Sequence, residues 1–344
     1  MVFLGDYAIV DQSELANIDF GNEQVVVNLE GAILNRALNE AIRKSVLFNT
    51  EESITLLKKV GTTAVVIANN HFYDLDKQID HSRVYLQENG IRICGAGNSL
   101  EEAKKELIIQ EESHDYVILA FCWNVTGGKY ARHNCYGVNP LTKDNVLESV
   151  RTAREKYADA TIVAVMHWGI ELEKYPEPMH VQLAHAAIEE GADVIIGHHP
   201  HRIQPIEKYK GKYIFYSIGN FDIQERRYFD GRMTYPEFSK KGLAVSIKRD
   251  CIQCKIIKKS STGALTMENT SVEEALQKYP FPSVENYGIW FRKNRVKRKG
   301  IPIFYDIDHS IANHCKTFAL TLRYYIIKVL LLFRLKKGRS TNEE

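Results

Sequence analysis

The stretch Gly191-Ala192-Asp193-Val194-Ile195-Ile196-Gly197-His198-His199-Pro200-His201 constrains this chain more than any other. Val194 to Ile196 is a short β-branched run of the kind buried in a parallel sheet. Gly197 then frees the backbone for a turn, Pro200 stiffens it, and three imidazoles fall within four residues. Open α/β sheets meet their ligands just beyond the carboxyl ends of their strands, and these imidazoles stand at that place. Taken alone, the segment also reads as a histidine-rich surface loop. The rest of the sequence decides against that.

Apolar runs recur at 2–4, 25–27, 64–68, 91–94, 117–121, 162–165, 194–196 and 213–216. Stretches of helical period lie between several of them. One carries Ile54, Leu57 and Val60; a second, 74–89, carries Leu75, Ile79 and Leu86 and stops at Gly90; 145–157 and 181–190 follow the same pattern. Such alternation predicts a layered α/β fold with much parallel sheet. At 344 residues the chain has room for one large α/β domain with an appendage, or for two domains. After Phe221 the texture changes. Residues 242–247 and 251–257 read as a hairpin about Lys248-Arg249-Asp250, 258–269 as a polar loop, and 271 onward as helices. The expected division is a domain at 1–260 and an extension at 261–344.

Charge excludes one function class. Forty-five basic against 43 acidic residues leave a net charge of +2, so no global field favours nucleic acid and none is expected as a partner. The basic run at 292–299 reads as a solvated face. Cys251-Ile252-Gln253-Cys254 has the spacing of a metal or redox pair, but it lies within a strand pattern and lacks a second pair, so reduced thiols are expected. Met1 to Asp6 leads straight into a strand pattern without a basic, apolar leader, which makes a cytoplasmic site the expectation. Towards the other end, Phe318, Leu322, Tyr325, Val329 and Leu332 form a helical stripe. Arg323 and Lys328 interrupt it, and Arg334, Lys336, Lys337 and Arg339 follow it. That run is too short and too charged to predict a membrane span. It predicts a helix that packs on the domain or lies at a membrane interface, with a basic flank facing anionic lipid.

Five strand patterns end in residues suited to metal chemistry: Gly5-Asp6, Asn28-Leu29-Glu30, Asn69-Asn70-His71, His167-Trp168-Gly169 and His198-His199-Pro200-His201. Singly, each has an ordinary reading as a cap, a turn or a core histidine. Together they make an oxygen and nitrogen donor set for one or two borderline divalent ions, with manganese, iron or zinc the most suitable. Two such ions can hold a hydroxide between them and clamp both oxygens of an in-line displacement. His180 and His185 fall on a helix pattern and read as structural.

These blocks, in this order and closed by Tyr216-Ser217-Ile218-Gly219-Asn220-Phe221, resemble the CapA family of poly-γ-glutamate capsule biosynthesis proteins. That family belongs to the calcineurin-like metallophosphoesterase superfamily. The resemblance covers about residues 1 to 250. It implies a four-layer α/β/β/α sandwich with a metal site at the strand ends, here followed by a C-terminal helical extension. It also implies roles. Asp6 would bind a first metal and Glu30 would bridge. Asn70, His167 and His199 would bind a second metal, His201 the first, and His71 would protonate the leaving group. His198 competes with His199 for its place, while Asn220 and Trp168 would support the site or touch substrate. The wider superfamily has a histidine two residues after its first aspartate; here Ala8 stands there, which leaves the first metal one ligand short. The implied function is a hydrolase of capsule polymer synthesis, with metal-bound hydroxide attacking a phosphoester or an amide-linked anionic polymer. The rival is a non-catalytic accessory that binds the polymer or organises a synthase at the membrane.

Overall fold

The computed structural model describes residues 1–10, 14–15, 18–35, 46–111, 114–228, 231–249, 251–299 and 305–308, with scattered positions from 311 to 326. Two β-sheets stack face to face. The first holds β1 (Val2–Ala8), β2 (Val25–Leu29), β3 (Thr62–Val66) and β4 (Arg92–Cys94). The second is built from β5 (Leu107–Glu111), β6 (His114–Cys122), β7 (Thr161–His167), β8 (Val194–His198), β9 (Ile206–Tyr209) and β10 (Lys212–Phe215). The chain then returns to the first sheet with β11 (Asn220–Ile223), β12 (Lys241–Ile247), β13 (Ile252–Lys259) and β14 (Leu265–Thr270).

The first sheet runs β14-β13-β12-β1-β2-β3-β4, with β11 also paired to β1. From β1 to β4 the pairings are parallel, as is β1 with β11, whereas β12 to β14 are antiparallel. The second runs β9-β10-β8-β7-β6-β5, with β6, β7, β8 and β10 parallel. Period-two alternation sorts the second sheet's side chains. Tyr116, Ile118, Ala120, Val163, Val165, Val194 and Ile196 join the core shared with the first sheet. Val117, Leu119, Phe121, Ile162, Ala164, Met166 and Ile195 join the core under the helices α3 (Lys143–Lys156) and α4 (Pro178–Glu189). Helices α1 (Glu51–Lys59) and α2 (Ile79–Glu88) pack Ile54, Leu57, Ile79 and Leu86 onto the first sheet. The result is the four-layer α/β/β/α sandwich.

Two expectations change after residue 220. The polar stretch 258–269 is not a loop: β13 continues to Lys259, turns at Gly263, and returns as β14, paired from Cys254↔Thr270 to Lys259↔Leu265. A polar edge strand escapes an apolar-pattern reading because only Leu265 is deeply buried and one edge faces solvent. The basic run is a solvated face at Arg292, Lys293 and Lys297, but not along its whole length. It lies on α6 (Tyr287–Lys299), where Arg295 is buried against Glu177 and Glu173, and Arg298 meets Glu173 at 2.6 Å. Helix α5 (Val272–Lys278) carries a capping box through Ser271 and Glu274. The six cysteines are free thiols, with Cys251 exposed and Cys254 buried. No described helix is long and apolar enough to cross a membrane. Most of the stripe from Phe318 to Leu332, and the basic residues after it, lie outside the described residues.

Candidate metal centre

The strand ends of both sheets meet at one edge of the sandwich, and parity aims their side chains. His167 shares the face of Val163 and Val165, and His198 that of Val194 and Ile196, so both point between the sheets toward β1 and β2. Close backbone approach makes this convergence feasible. A Cβ on Gly5 would stand 2.0 Å from the Gly219 carbonyl oxygen, and one on Gly197 only 1.9 Å from that of Tyr216. Glycine alone fits at either position. The histidine loop is itself strained: His199 and His201 adopt φ of 94° and 52°, a region costly for side chains with a Cβ and one that clusters at functional sites.

Asp6 is fully buried and saturated. Its Oδ1 accepts from Asn28 Nδ2 at 2.7 Å and faces His198 Nδ1 at 2.9 Å; its Oδ2 accepts from the His199 amide at 3.2 Å and lies 3.2 Å from His201 Nδ1. His201 Nδ1 is also 2.9 Å from Asn220 Oδ1, which leaves its Nε2 toward Glu30 at 3.8 Å. Glu30 is equally buried, yet neither of its oxygens has a hydrogen-bond partner. His167 Nε2 stands 3.8 Å from Glu30 Oε1 and 2.7 Å from Asn70 Oδ1. The Nδ1 of His167 is buried without a partner. His199 Nδ1 is buried and partnerless too.

Glu30, His199 and His201 each present a ligand atom within 4.8 Å of the others. Buried polar atoms are ordinarily satisfied, and an orphaned Glu30 carboxylate with imidazole nitrogens of His199 and His201 within 4.8 Å fits a divalent cation of the borderline class. The charge balance agrees. Burial pushes Glu30 up to about 7, with Asp6 adding to the rise against the pull of His201. Burial alone would depress His201, but Glu30 and Asp6 drive it to about 10. His199 is pushed down to about 3 by burial, and His167 falls well below the usual histidine range for the same reason, with His199 adding to it. Two imidazoles are therefore neutral with lone pairs to give. The third carries a proton between two carboxylates, in the place of a cation.

A cleft of about 410 Å³ opens over this cluster, bordered by Asn70, His71, Glu171, His199, His201 and Tyr235. His71 Nδ1 is held by Asp74 Oδ2 at 2.7 Å. Burial lowers its affinity for protons, but Asp74 and Glu30 outweigh that and hold the imidazole above its ordinary range. Ala8 sits in an apolar group with Leu47 and Ile223, against Met233 and Tyr235.

The expected residues divide by place. Glu30, His199 and His201 converge, with His167, Asn70 and His71 around them and Asp6 behind His201. His198 turns its ring onto Asp6, and Asn220 braces His201. Trp168 packs on the helix side of the second sheet, stacked on His180 and donating to the Tyr216 carbonyl at 2.9 Å. His180 is clamped between Trp168 and Trp123, and His185 faces Glu207, both away from the cluster. Glu171 went unremarked in the sequence, though it lies four residues past His167 in the same strand-end loop.

A family model described as "Bacterial capsule synthesis protein PGA_cap" matches residues 13–225. The PGA biosynthesis protein CapA of Bacillus subtilis (strain 168) is 35% identical over 204 residues, 58% of this chain and 53% of that protein. The capsule biosynthesis protein CapA of Bacillus anthracis is 32% identical over 174 residues, 50% and 42% of the two. This chain thus spans about half the length of the curated relatives it matches. Among solved structures, the calcineurin-like phosphoesterase YfkN from Bacillus subtilis aligns with a TM-score of 0.38 at 13% identity, over 85% of this chain and 84% of that one.

Proposed function

For a chain that belongs to the bacterial capsule synthesis protein family PGA_cap, we propose a metal-dependent hydrolase that cuts an amide-linked anionic polymer of the poly-γ-glutamate type. The observation that carries this reading is the orphaned Glu30 carboxylate, buried with His199, His201 and His167 around it. Those four residues would hold a divalent ion, which would polarise the scissile group and acidify a water. Asp6 and Asn220 fix the His201 ring by its Nδ1, so that Nε2 is the atom turned to the cluster. Asp74 does the same for His71, whose Nε2 is left to give its proton to the departing amine. The described residues that line the cleft set apolar Leu47, Val125, Ile170 and Met233 beside the polar Asn70 and Thr126, a mixed wall that a peptide-like chain can meet.

The second reading, a polymer-binding or synthase-organising accessory at a membrane surface, draws on two observations. Ala8 and its apolar neighbours occupy the place of a further ligand. Phe318, Leu322 and Ile326 are exposed at four-residue steps, as an apolar surface contact would require. Turnover separates the readings. Metal-loaded protein should cleave γ-linked glutamate oligomers, lose activity on chelation, and leave generic phosphodiesters largely intact. Stoichiometric metal with no cleavage of either class would favour the accessory.

A further inference from the structure

A second cavity, of about 430 Å³, adjoins the metal cleft, and the Tyr235 ring borders both. Asn220 is a second shared element: it lines this cavity, and its Oδ1 holds His201. The cavity contains a polar group that nothing in the proposed mechanism uses. Asp222 is buried, and its Oδ1 accepts from Lys259 Nζ at 2.5 Å, but its Oδ2 has no hydrogen-bond partner. Ser239 Oγ, also lining the cavity, is buried and partnerless as well. A buried carboxylate oxygen without a donor is costly, so the position calls for a ligand that brings N–H groups.

The surroundings narrow the ligand. Glu14 and Glu225 add negative charge to the wall, and Lys259 already occupies one Asp222 oxygen. A metal would want several free carboxylates or imidazoles. Among the described residues the only cluster of that kind is the one at Glu30. A second cation on the other oxygen is a different matter, because this chain builds that arrangement elsewhere: Asp193 holds Arg154 on Oδ2 and Lys212 on Oδ1, each at 2.5 Å. We propose that the Asp222 cavity binds a primary ammonium group, the free amino end of a peptide-like chain whose linkage lies over the metal cleft. Asp222 Oδ2 takes the ammonium, and Ser239 Oγ takes a neighbouring polar atom of the terminal unit. The assignment rests on the hydrolase reading for what the ligand is, and it makes the protein act from chain ends and not within chains.

The test compares a γ-linked glutamate tetramer with its N-acetylated form on the full-length, metal-loaded protein. The readout is Kd by calorimetry, or KM where products appear. The free-amino tetramer should bind at least tenfold more tightly, and Asp222→Asn should abolish the difference while leaving metal content unchanged. Ser239→Ala, a milder change, should narrow it and covers the case in which Asp222→Asn fails to fold. Equal binding of the two forms, binding of neither, or a preference that survives both substitutions would overturn the ammonium site. Cleavage of both forms alike would overturn it while leaving the hydrolase reading intact. A tenfold preference with no cleavage would uphold the site and remove the hydrolase.

Discussion

Metal binding at the Glu30 cluster should release a countable number of protons. In the metal-free protein His201, at about 10, is the group that carries charge between Asp6 and Glu30, and Glu30 itself is held at about 7. At pH 8 the first is mostly protonated and the second mostly ionised. His167 and His199 are neutral and have nothing to lose. Binding one divalent ion through deprotonated ligands should therefore release about one proton at pH 8. The same exchange tightens the apparent Kd about tenfold between pH 7.5 and 8.5, since one proton competes with the ion. The assay is titration calorimetry with Mn²⁺ in three buffers of different ionisation enthalpy. Manganese is preferred because zinc would add protons from its own bound water. A release near zero, or a Kd unchanged across that pH unit, would show that His201 is not protonated in the metal-free site and that the two carboxylates are neutralised in another way.

Asp74→Asn should move the alkaline limb of kcat to lower pH. Asp74 helps hold His71 above its ordinary range, so its loss deprotonates the acid earlier; activity at pH 6 should change little, and an unmoved limb would remove His71 from the acid role. Ala8→His should raise metal content from about one ion per chain toward two by elemental analysis. It should also cost the metal-free protein about 1–3 kcal/mol in urea unfolding, because the site is packed with Leu47 and Ile223. Arg295→Met should destabilise by about 3–5 kcal/mol by removing the guanidinium that faces the buried Glu177 carboxylate, while Glu173 keeps Arg298. Adding Glu177→Gln should restore much of that loss; an exposed-pair value under about 1 kcal/mol would contradict the burial.

The sandwich was legible wherever a β-branched run ended in a polar cluster. Val194–Ile196 before the histidines and Ala64–Ala68 before Asn70 carry both the strand and its chemistry in adjacent residues, and parity then dictates which ring faces inward. Relations between residues far apart were not legible. Nothing at Arg295 announces Glu177, 118 positions earlier, so a helix with one buried guanidinium read as charged surface throughout. Strand β14 alternates too weakly to show, and it is defined by its pairing with β13. His198 and His199 cannot be told apart by spacing. Only the turn of the backbone, with φ of 94° at His199, sends one ring to Asp6 and the other to the cluster.

The position of β1 bears on how the chain is made. It precedes the other described strands in the chain and is an interior strand of its sheet, flanked by β2 on one side and by β11 and β12 on the other. Its second edge therefore stays unpaired until the stretch ending at Ile247 has been synthesised. Asp6 waits for the histidine loop that it anchors, which begins 192 residues later at His198. Until then a nascent chain would carry an open apolar edge, a state that invites chaperones. The residues proposed to hold a metal follow strands of both sheets, so a seated ion would mark a chain whose two sheets have come together.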